Sequence, residues 1–195
     1  MVFSDRRAEK RVQPPQDAVL DFALWPAAPS PPIRLPLAEL GPPAARSLPG
    51  QQLVLSDAAP LGLGLRLWAP AEVAAALTTA PALFVYLKLR DYGDASEALS
   101  LFLHAATMRS QPEDGGGRFG LRITHLGRGS NFEKSIELLD VSRFGVKELA
   151  AWTDAVSRHG QRLDDGRDDG LDLDALLAEP ALAGPAPSTA KGNGS

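Results

Sequence analysis

Residues 53–68 read LVLSDAAPLGLGLRLW, and this stretch decides the fold class. From Leu61 to Leu67 a leucine stands at every second position, and glycine and arginine fill the positions between them. A period of two with one apolar face is typical of a half-buried β-strand. An apolar run at 53–55 precedes turn-forming residues at 57–60, so the stretch predicts a β-hairpin.

The segments around this hairpin predict more strands and one helix. Asp114 and the three glycines after it predict a tight hairpin turn. Residues 131–140 fit either a strand or a short helix. A stripe of apolar side chains predicts an amphipathic helix over 147–163, formed by Leu149, Trp152, Val156 and Leu163. The other predicted elements are a first strand at 17–24, a helical turn at 71–79, and strands at 83–90, 98–108 and 118–124.

Composition divides the chain into a core and three peripheral parts. Residues 1–12 are highly charged and predict a flexible arm. Residues 26–49 are rich in Pro and Ala, which predicts a loop or an edge segment because proline cannot donate to a sheet ladder. Residues 164–195 have few bulky apolar side chains and predict a disordered acidic and Ala/Pro-rich tail. One mainly β domain, a small β-barrel at 13–146 that contains the Pro-rich insertion, is therefore expected before the helix.

Bulk properties narrow the class of partner. The 195 residues carry a formal charge of −4, whereas a general nucleic-acid binder usually carries a strong positive excess, so we expect no nucleic acid. With no cysteine, disulfides and thiol chemistry are excluded. The longest apolar region, 73–89, is interrupted by Pro81, so we expect no membrane span and a cytoplasmic protein. His104, His125 and His159 lie far apart in sequence, and we expect no metal and no cofactor.

Two short motifs carry the chemistry. Arg7 and Arg11 form an R-x-x-x-R motif on the arm, and Asp57, Ala59 and Gly62 form a D-x-A-x-x-G motif at the hairpin. Arginine donates in-plane hydrogen bonds to phosphates and guanine edges and stacks on purines. An aspartate can accept from the N–H edge of guanine, and glycine permits close backbone approach. Together the motifs suit an anionic ligand with flat bases.

The order and spacing of these motifs resemble the PilZ domain, a small β-barrel whose usual ligand is cyclic di-GMP. The resemblance covers residues 6 to about 126 and implies that the arm folds over the ligand. It implies that the turn on the barrel surface contacts the other face of the ligand. The binding residues implied are Arg6, Arg7, Arg11, Asp57, Ala59 and Gly62, with Arg6 at the position that influences whether one or two ligand molecules are held.

The chain departs from the family pattern in two ways. Ala59 stands where the family has serine, which removes one hydroxyl partner worth about 0.5–1.5 kcal/mol. Ser56 precedes Asp57 directly and would point to the opposite face of a regular strand, so it is a poor substitute. The stretch from Arg11 to Asp57 is also longer than usual in the family. An insertion there could bulge away or misplace the arm.

These observations lead to one functional hypothesis and several alternatives. The first is a non-enzymatic cyclic di-GMP receptor whose arm orders on binding and signals to a protein partner in motility, exopolysaccharide or secretion machinery. The alternative is a degenerate PilZ-like adaptor that binds protein but no nucleotide. An enzyme built on a small barrel and a nucleic-acid-binding barrel are further alternatives, although no catalytic grouping and no basic aromatic face stand out. The leucines at 171–177 could form a short docking helix.

Overall fold

The structure is a computed structural model, and it describes residues 11–47, 52–92, 98–129 and 134–168. Antiparallel strands dominate it. The prediction of a mainly β fold with a C-terminal helix is therefore confirmed. The elements are a 3-10 turn (Gln16–Ala18), β1 (Val19–Ala27), β2 (Arg34–Pro36), α1 (Leu37–Leu40), β3 (Ala45–Arg46), β4 (Gln52–Ala59), β5 (Gly62–Trp68), α2 (Ala71–Thr79), β6 (Ala82–Leu89), β7 (Leu99–Glu113), β8 (Gly116–Arg128), β9 (Ser135–Asp140) and α3 (Lys147–Asp168).

One curved sheet of half-barrel form contains all of the described strands. Its order is β2-β9-β8-β7-β6-β1-β3, and β5 joins it by pairing with both β4 and β8. Strand β8 is long enough to serve two neighbours on one side: residues 116–122 pair with β5, and residues 125–128 pair with β9. The β4–β5 hairpin is thereby fixed beside the first half of β8.

The alternation in β5 builds one face of the core. Leu63, Leu65 and Leu67 are buried, and Leu65 lies opposite the buried Phe119 of β8. Burying a side chain of this size stabilises the fold by about 1.5–3 kcal/mol. The intervening positions of β5 point away from this core, so the outer surface of the hairpin carries glycine, arginine and tryptophan.

Several element boundaries differ from those predicted. The first strand begins at Val19 and runs to Ala27, because residues 16–18 form a 3-10 turn before it. The ambiguous stretch at 131–140 contains strand β9. Helix α3 ends at Asp168 rather than at residue 163, so the first five residues of the predicted tail are helical. An apolar stripe marks only the part of a helix that is buried. Backbone hydrogen bonds can extend the helix beyond that part.

The chain divides into two units, residues 1–160 and residues 161–195. The first contains the sheet and the buried stripe of α3, with Leu149, Trp152 and Val156 in the main core. Of the second unit, the structure describes the helical backbone at 161–168. The rest of the predicted tail, from residue 169, lies outside the described residues.

The Pro-rich segment contains more structure than the predicted loop. It begins inside β1 and includes β2, α1 and β3. Among the described strands, β2 pairs only with β9 and β3 pairs only with β1, so both are edge strands of this sheet, as the proline content favours. The segment also covers the outer face of the sheet, where a second apolar cluster forms around Leu35, Phe84 and Leu138.

A buried histidine connects this segment to the sheet. His104 of β7 is fully buried, and its Nε2–H donates to the carbonyl oxygen of Ala28 at 2.8 Å. Its Nδ1 lies 2.6 Å from the hydroxyl of Thr124, whose single hydrogen can go to this nitrogen or to the carbonyl oxygen of His104 at 3.1 Å. Burial lowers the pKa of His104 below 6.5; the Ala28 hydrogen bond opposes this and the neighbouring His125 adds to it. The folded protein therefore favours the neutral ring.

Acidification is expected to destabilise the protein through His104. Because its folded pKa lies below 6.5, the unfolded chain binds the proton first, and stability falls as the pH drops from 6.5 toward the folded pKa. The slope is at most about 1.4 kcal/mol per pH unit. Urea unfolding between pH 7 and pH 5 should show a smaller loss for His104→Gln than for the natural protein. Equal slopes in the two proteins would contradict this assignment.

Candidate functional site

The arm meets the hairpin at Arg11 and Asp57, which lie 46 residues apart in sequence. Val12 and Ala58 exchange two backbone hydrogen bonds of 2.9 Å, so the chain just after the R-x-x-x-R motif lies along β4. From this position the Nη1 of Arg11 donates to Oδ1 of Asp57 and forms an ion pair with it. The structure thus brings together one residue from each predicted motif.

The predicted arm is therefore anchored at its end. Residues 11 and 12 are bound to β4, and Val12 is buried, so the prediction of a flexible arm up to residue 12 is wrong for these two residues. The cause is the apolar side chain of Val12, which adds to the core and brings Arg11 with it. Arg6 and Arg7 lie outside the described residues, and their predicted roles stay predictions.

A β-bulge reshapes β4 at Ser56. The pairing register of β4 and β5 shifts between Leu55 and Asp57, so two residues of β4 occupy the space of one. Ser56 and Asp57 consequently line the same cavity. The prediction that Ser56 points to the opposite face is wrong, because it assumed a regular strand. Asp57 also lies within β4 rather than in the turn, which occupies residues 60 and 61.

Two glycines of β5 leave room for the ion pair. A Cβ atom at Gly64, the register partner of Asp57, would lie 2.0 Å from Oδ2 of Asp57. A Cβ atom at Gly62 would lie 3.2 Å from Nη2 of Arg11. The close approach predicted for Gly62 is thus made by Arg11. Gly64, which the motif does not include, has the stricter requirement, and only its position opposite Asp57 reveals it.

Ala59 differs from expectation. It lies opposite Gly62 in the β4–β5 register and is buried. Its side chain therefore adds little to the exposed surface of the hairpin. A methyl group at this position offers neither a hydrogen bond nor much exposed surface.

The tip of the hairpin is held by two other elements. The carbonyl oxygen of Pro60 accepts from the N–H of Val146, and that of Leu61 accepts from the N–H of Ile123, each at 2.9 Å. Gly145 adopts a φ of 72°, and a Cβ atom there would lie 2.8 Å from the Pro60 oxygen. A side chain at 145 is excluded by both conformation and space. The tip is thereby fixed between β8 and the loop that precedes α3.

The outer face beside the ion pair is rich in arginine. In the β5–β8 register Gly62 lies opposite Arg122, and Arg66 lies opposite Arg118. Arg66 and Arg118 both approach Glu113, with N···O distances of 3.4 and 3.2 Å. Arg66 also lies 5.3 Å from the centre of the Trp68 ring, a cation–π contact. This basic face on an acidic chain was not predicted, although the alternating Arg118 and Arg122 were its signal.

Two cavities in the described part of the chain lie beside the sheet. One of about 290 Å³ lies between the β4 bulge and β8, and its polar walls are Ser56, Asp57, Arg66 and Arg118. The other, of about 410 Å³, is mainly apolar, and its lining includes Trp25 and Phe102 together with residues of α1 and β9. The Pro-rich segment lines the second cavity, and its strands form their hydrogen-bonded pairs with β1 and β9 rather than with the β4–β5 hairpin.

Two histidines that lie far apart in sequence, His104 and His125, are close together in the fold. The rings of His104 and His125 lie 5.6 Å apart, and both contact the hydroxyl of Thr124. Among the residues that the structure describes, no group of three or more His, Asp or Glu is placed to hold a metal ion. In the same part of the chain, no helix combines the length and apolar character needed to cross a membrane.

No protein-family model and no curated protein matches the chain. Among solved structures, it is similar to the Bacillus subtilis inhibitor of motility MotI/DgrA. The two share 13% sequence identity with a TM-score of 0.42, over 82% of this chain and 53% of that chain. This chain thus spans about half the length of that structure.

Proposed function

We propose that this chain is a non-enzymatic receptor of PilZ type that binds cyclic di-GMP on the outer face of the β4–β5 hairpin. The observation that carries the proposal is the contact between Arg11 and Asp57, one from each motif, beside Gly62. Arg11 and Asp57 lie 46 residues apart in sequence. If the arm were fully solvated, Arg11 would not contact Asp57.

The ion pair suits exchange for a ligand. The Arg11 side chain is 52% exposed and that of Asp57 is 26% exposed, so separating them costs only about 0–1 kcal/mol. Once separated, the Arg11 guanidinium donates to a phosphate or to the acceptor edge of guanine, and the Asp57 carboxylate accepts from its N–H edge. Each group thus trades one charge-assisted hydrogen bond for another.

Ser56 compensates for the absent serine of the motif. The bulge places Ser56 next to Asp57 on the wall of the same cavity, and a serine hydroxyl can donate to or accept from a ligand. Ala59 then serves as a spacer rather than as a ligand contact. Under this proposal Arg6 and Arg7 complete the clamp, and the ordered arm presents a changed surface to a protein partner in motility, exopolysaccharide or secretion machinery.

Calorimetric titration with cyclic di-GMP tests the proposal. We expect micromolar or tighter binding that Arg11→Ala weakens at least about tenfold, because a hydrogen bond to a charged group is worth about 1.5–3 kcal/mol. Arg46→Ala is the matched control. Arg46 pairs with Asp21 at 2.7 Å, and these side chains are 50% and 23% exposed, nearly as in the proposed site. Its loss should leave the affinity unchanged.

The alternative function is a protein–protein adaptor that binds no nucleotide. Two observations favour it: Asp57 is already satisfied by Arg11, and Ala59 is buried. No heat of binding at high cyclic di-GMP concentration, from a protein whose circular dichroism shows it folded, would reject the receptor and leave the adaptor. Equal weakening by Arg11→Ala and Arg46→Ala would also reject the proposed site.

A further inference from the structure

The cavity between the β4 bulge and β8 contains more positive charge than the motifs require. Arg66 and Arg118 are register partners on its wall, and Ser56 adds a hydroxyl. The one acidic wall residue, Asp57, is neutralised by Arg11 from outside the cavity. Arg66 and Arg118 therefore line a space of about 290 Å³ whose one carboxylate is already paired, and their guanidinium groups reach Glu113, which is not among the lining residues.

The contacts with Glu113 show how these two arginines bind an anion. The Nε of Arg66 approaches Oε2 of Glu113, and Nη2 of Arg118 approaches Oε1, so each guanidinium takes one oxygen of the same carboxylate. Glu113 is not part of the cavity lining. A tetrahedral phosphate in the cavity offers one oxygen to each guanidinium and a further one to the hydroxyl of Ser56, which a carboxylate cannot do.

The position of the cavity relates it to the proposed clamp. Residues 62 and 66 of β5 are about 14 Å apart at 3.4 Å per residue, so Arg11 beside Gly62 and the pair at Arg66 are at separate places on one face. We propose that this cavity is a phosphate-binding pocket that takes the phosphate group of a nucleotide, with Arg66 and Arg118 as its cationic walls. The pocket shares Asp57 with the proposed cyclic di-GMP site but does not depend on it.

The test is titration of the full chain with GMP, followed by the Nε–H signals of its arginines in nitrogen-15 spectra. The Arg66 and Arg118 signals should move, and guanosine, which lacks the phosphate, should leave them in place. Arg118→Ala should weaken GMP binding about tenfold or more. The matched control Arg46→Ala should leave GMP affinity unchanged, and circular dichroism should show both variants folded.

Glu113→Gln distinguishes a binding role from a structural one. Because Glu113 competes with the phosphate for both guanidiniums, its neutralisation should strengthen GMP binding by about two- to fivefold. If Arg66, Arg118 and Glu113 had only a structural role, Glu113→Gln would weaken GMP binding or leave it unchanged. If GMP does not move the Arg66 and Arg118 signals, or if Glu113→Gln fails to strengthen binding, the pocket is rejected.

Inorganic phosphate and cyclic di-GMP identify the source of the phosphate. Movement of the same two signals by inorganic phosphate would support a pocket for free anions and phosphate esters alike. Weakening of cyclic di-GMP binding by Arg118→Ala would support one ligand that spans both places. If cyclic di-GMP fails to bind while GMP still moves the two signals, the proposed receptor function fails and the pocket stands.

Discussion

Replacing Trp152 by alanine is expected to lower the free energy of unfolding by about 3–5 kcal/mol. Trp152 lies on the buried stripe of α3 and is 3% exposed. Its indole Nε1–H donates to the carbonyl oxygen of Arg90, just after β6, at 2.8 Å. The substitution therefore leaves a large void between helix and sheet and an unpaired carbonyl. Urea unfolding followed by circular dichroism measures the loss.

Two control substitutions separate the parts of this effect. Trp152→Phe keeps most of the apolar volume and removes the donor, so it should cost less than the alanine variant. Arg158→Ala changes an exposed residue of the same helix and should stay within about 0.5 kcal/mol of the natural protein. A loss below about 1 kcal/mol for Trp152→Ala would mean that α3 does not stabilise the sheet through this contact.

Gly64→Ala is expected to weaken cyclic di-GMP binding at least about tenfold while leaving the fold intact. The new methyl would lie 2.0 Å from the Oδ2 of Asp57, the free end of a side chain, so Asp57 rotates away and its ion pair with Arg11 breaks. The charge-assisted interaction between Asp57 and the ligand is then misplaced. At about 1.5–3 kcal/mol, its loss lowers affinity at least about tenfold.

Gly120→Ala is the matched control, because Gly120 is the register partner of Gly64 on β8. A Cβ atom there would meet only the Cβ of Arg109, at an ordinary 3.6 Å. Cyclic di-GMP affinity should therefore change less than about threefold, and both variants should unfold within about 1 kcal/mol of the natural protein. Equal loss of binding in the two variants would contradict the role given to Asp57, and unfolding of Gly64→Ala would contradict the stated cause.

The sequence predicted the elements whose signal is local. The alternating leucines of β5 and the apolar stripe of α3 each report which side of one element faces the core, and the fold confirms both. Every second residue of a strand faces the core, and every third or fourth residue of a helix does. The period of the apolar pattern therefore identifies the element. Boundaries were less certain, since the ends of β1 and α3 depend on turns and on backbone hydrogen bonds without an apolar pattern.

The site was only partly predictable, for a different physical reason. The motif positions Arg11, Asp57 and Gly62 could be read from spacing and resemblance, and the structure brings these three together. Ser56 could not, because a bulge adds one residue to a strand without a distinctive sequence signal. The roles of Gly64 and of the pair Arg66 and Arg118 depend on which strands are neighbours in the sheet. The sequence of a single strand does not contain this information.

The sequence was sufficient to predict a mainly β fold, its hairpin and its C-terminal helix. Each of these follows from the periodic alternation of exposed and buried residues within one segment. The chemistry of the hairpin face required the three-dimensional pairing of β4, β5 and β8. Charge and space act through distance, and the residues that set the distances around Asp57 are separated by tens of positions in sequence.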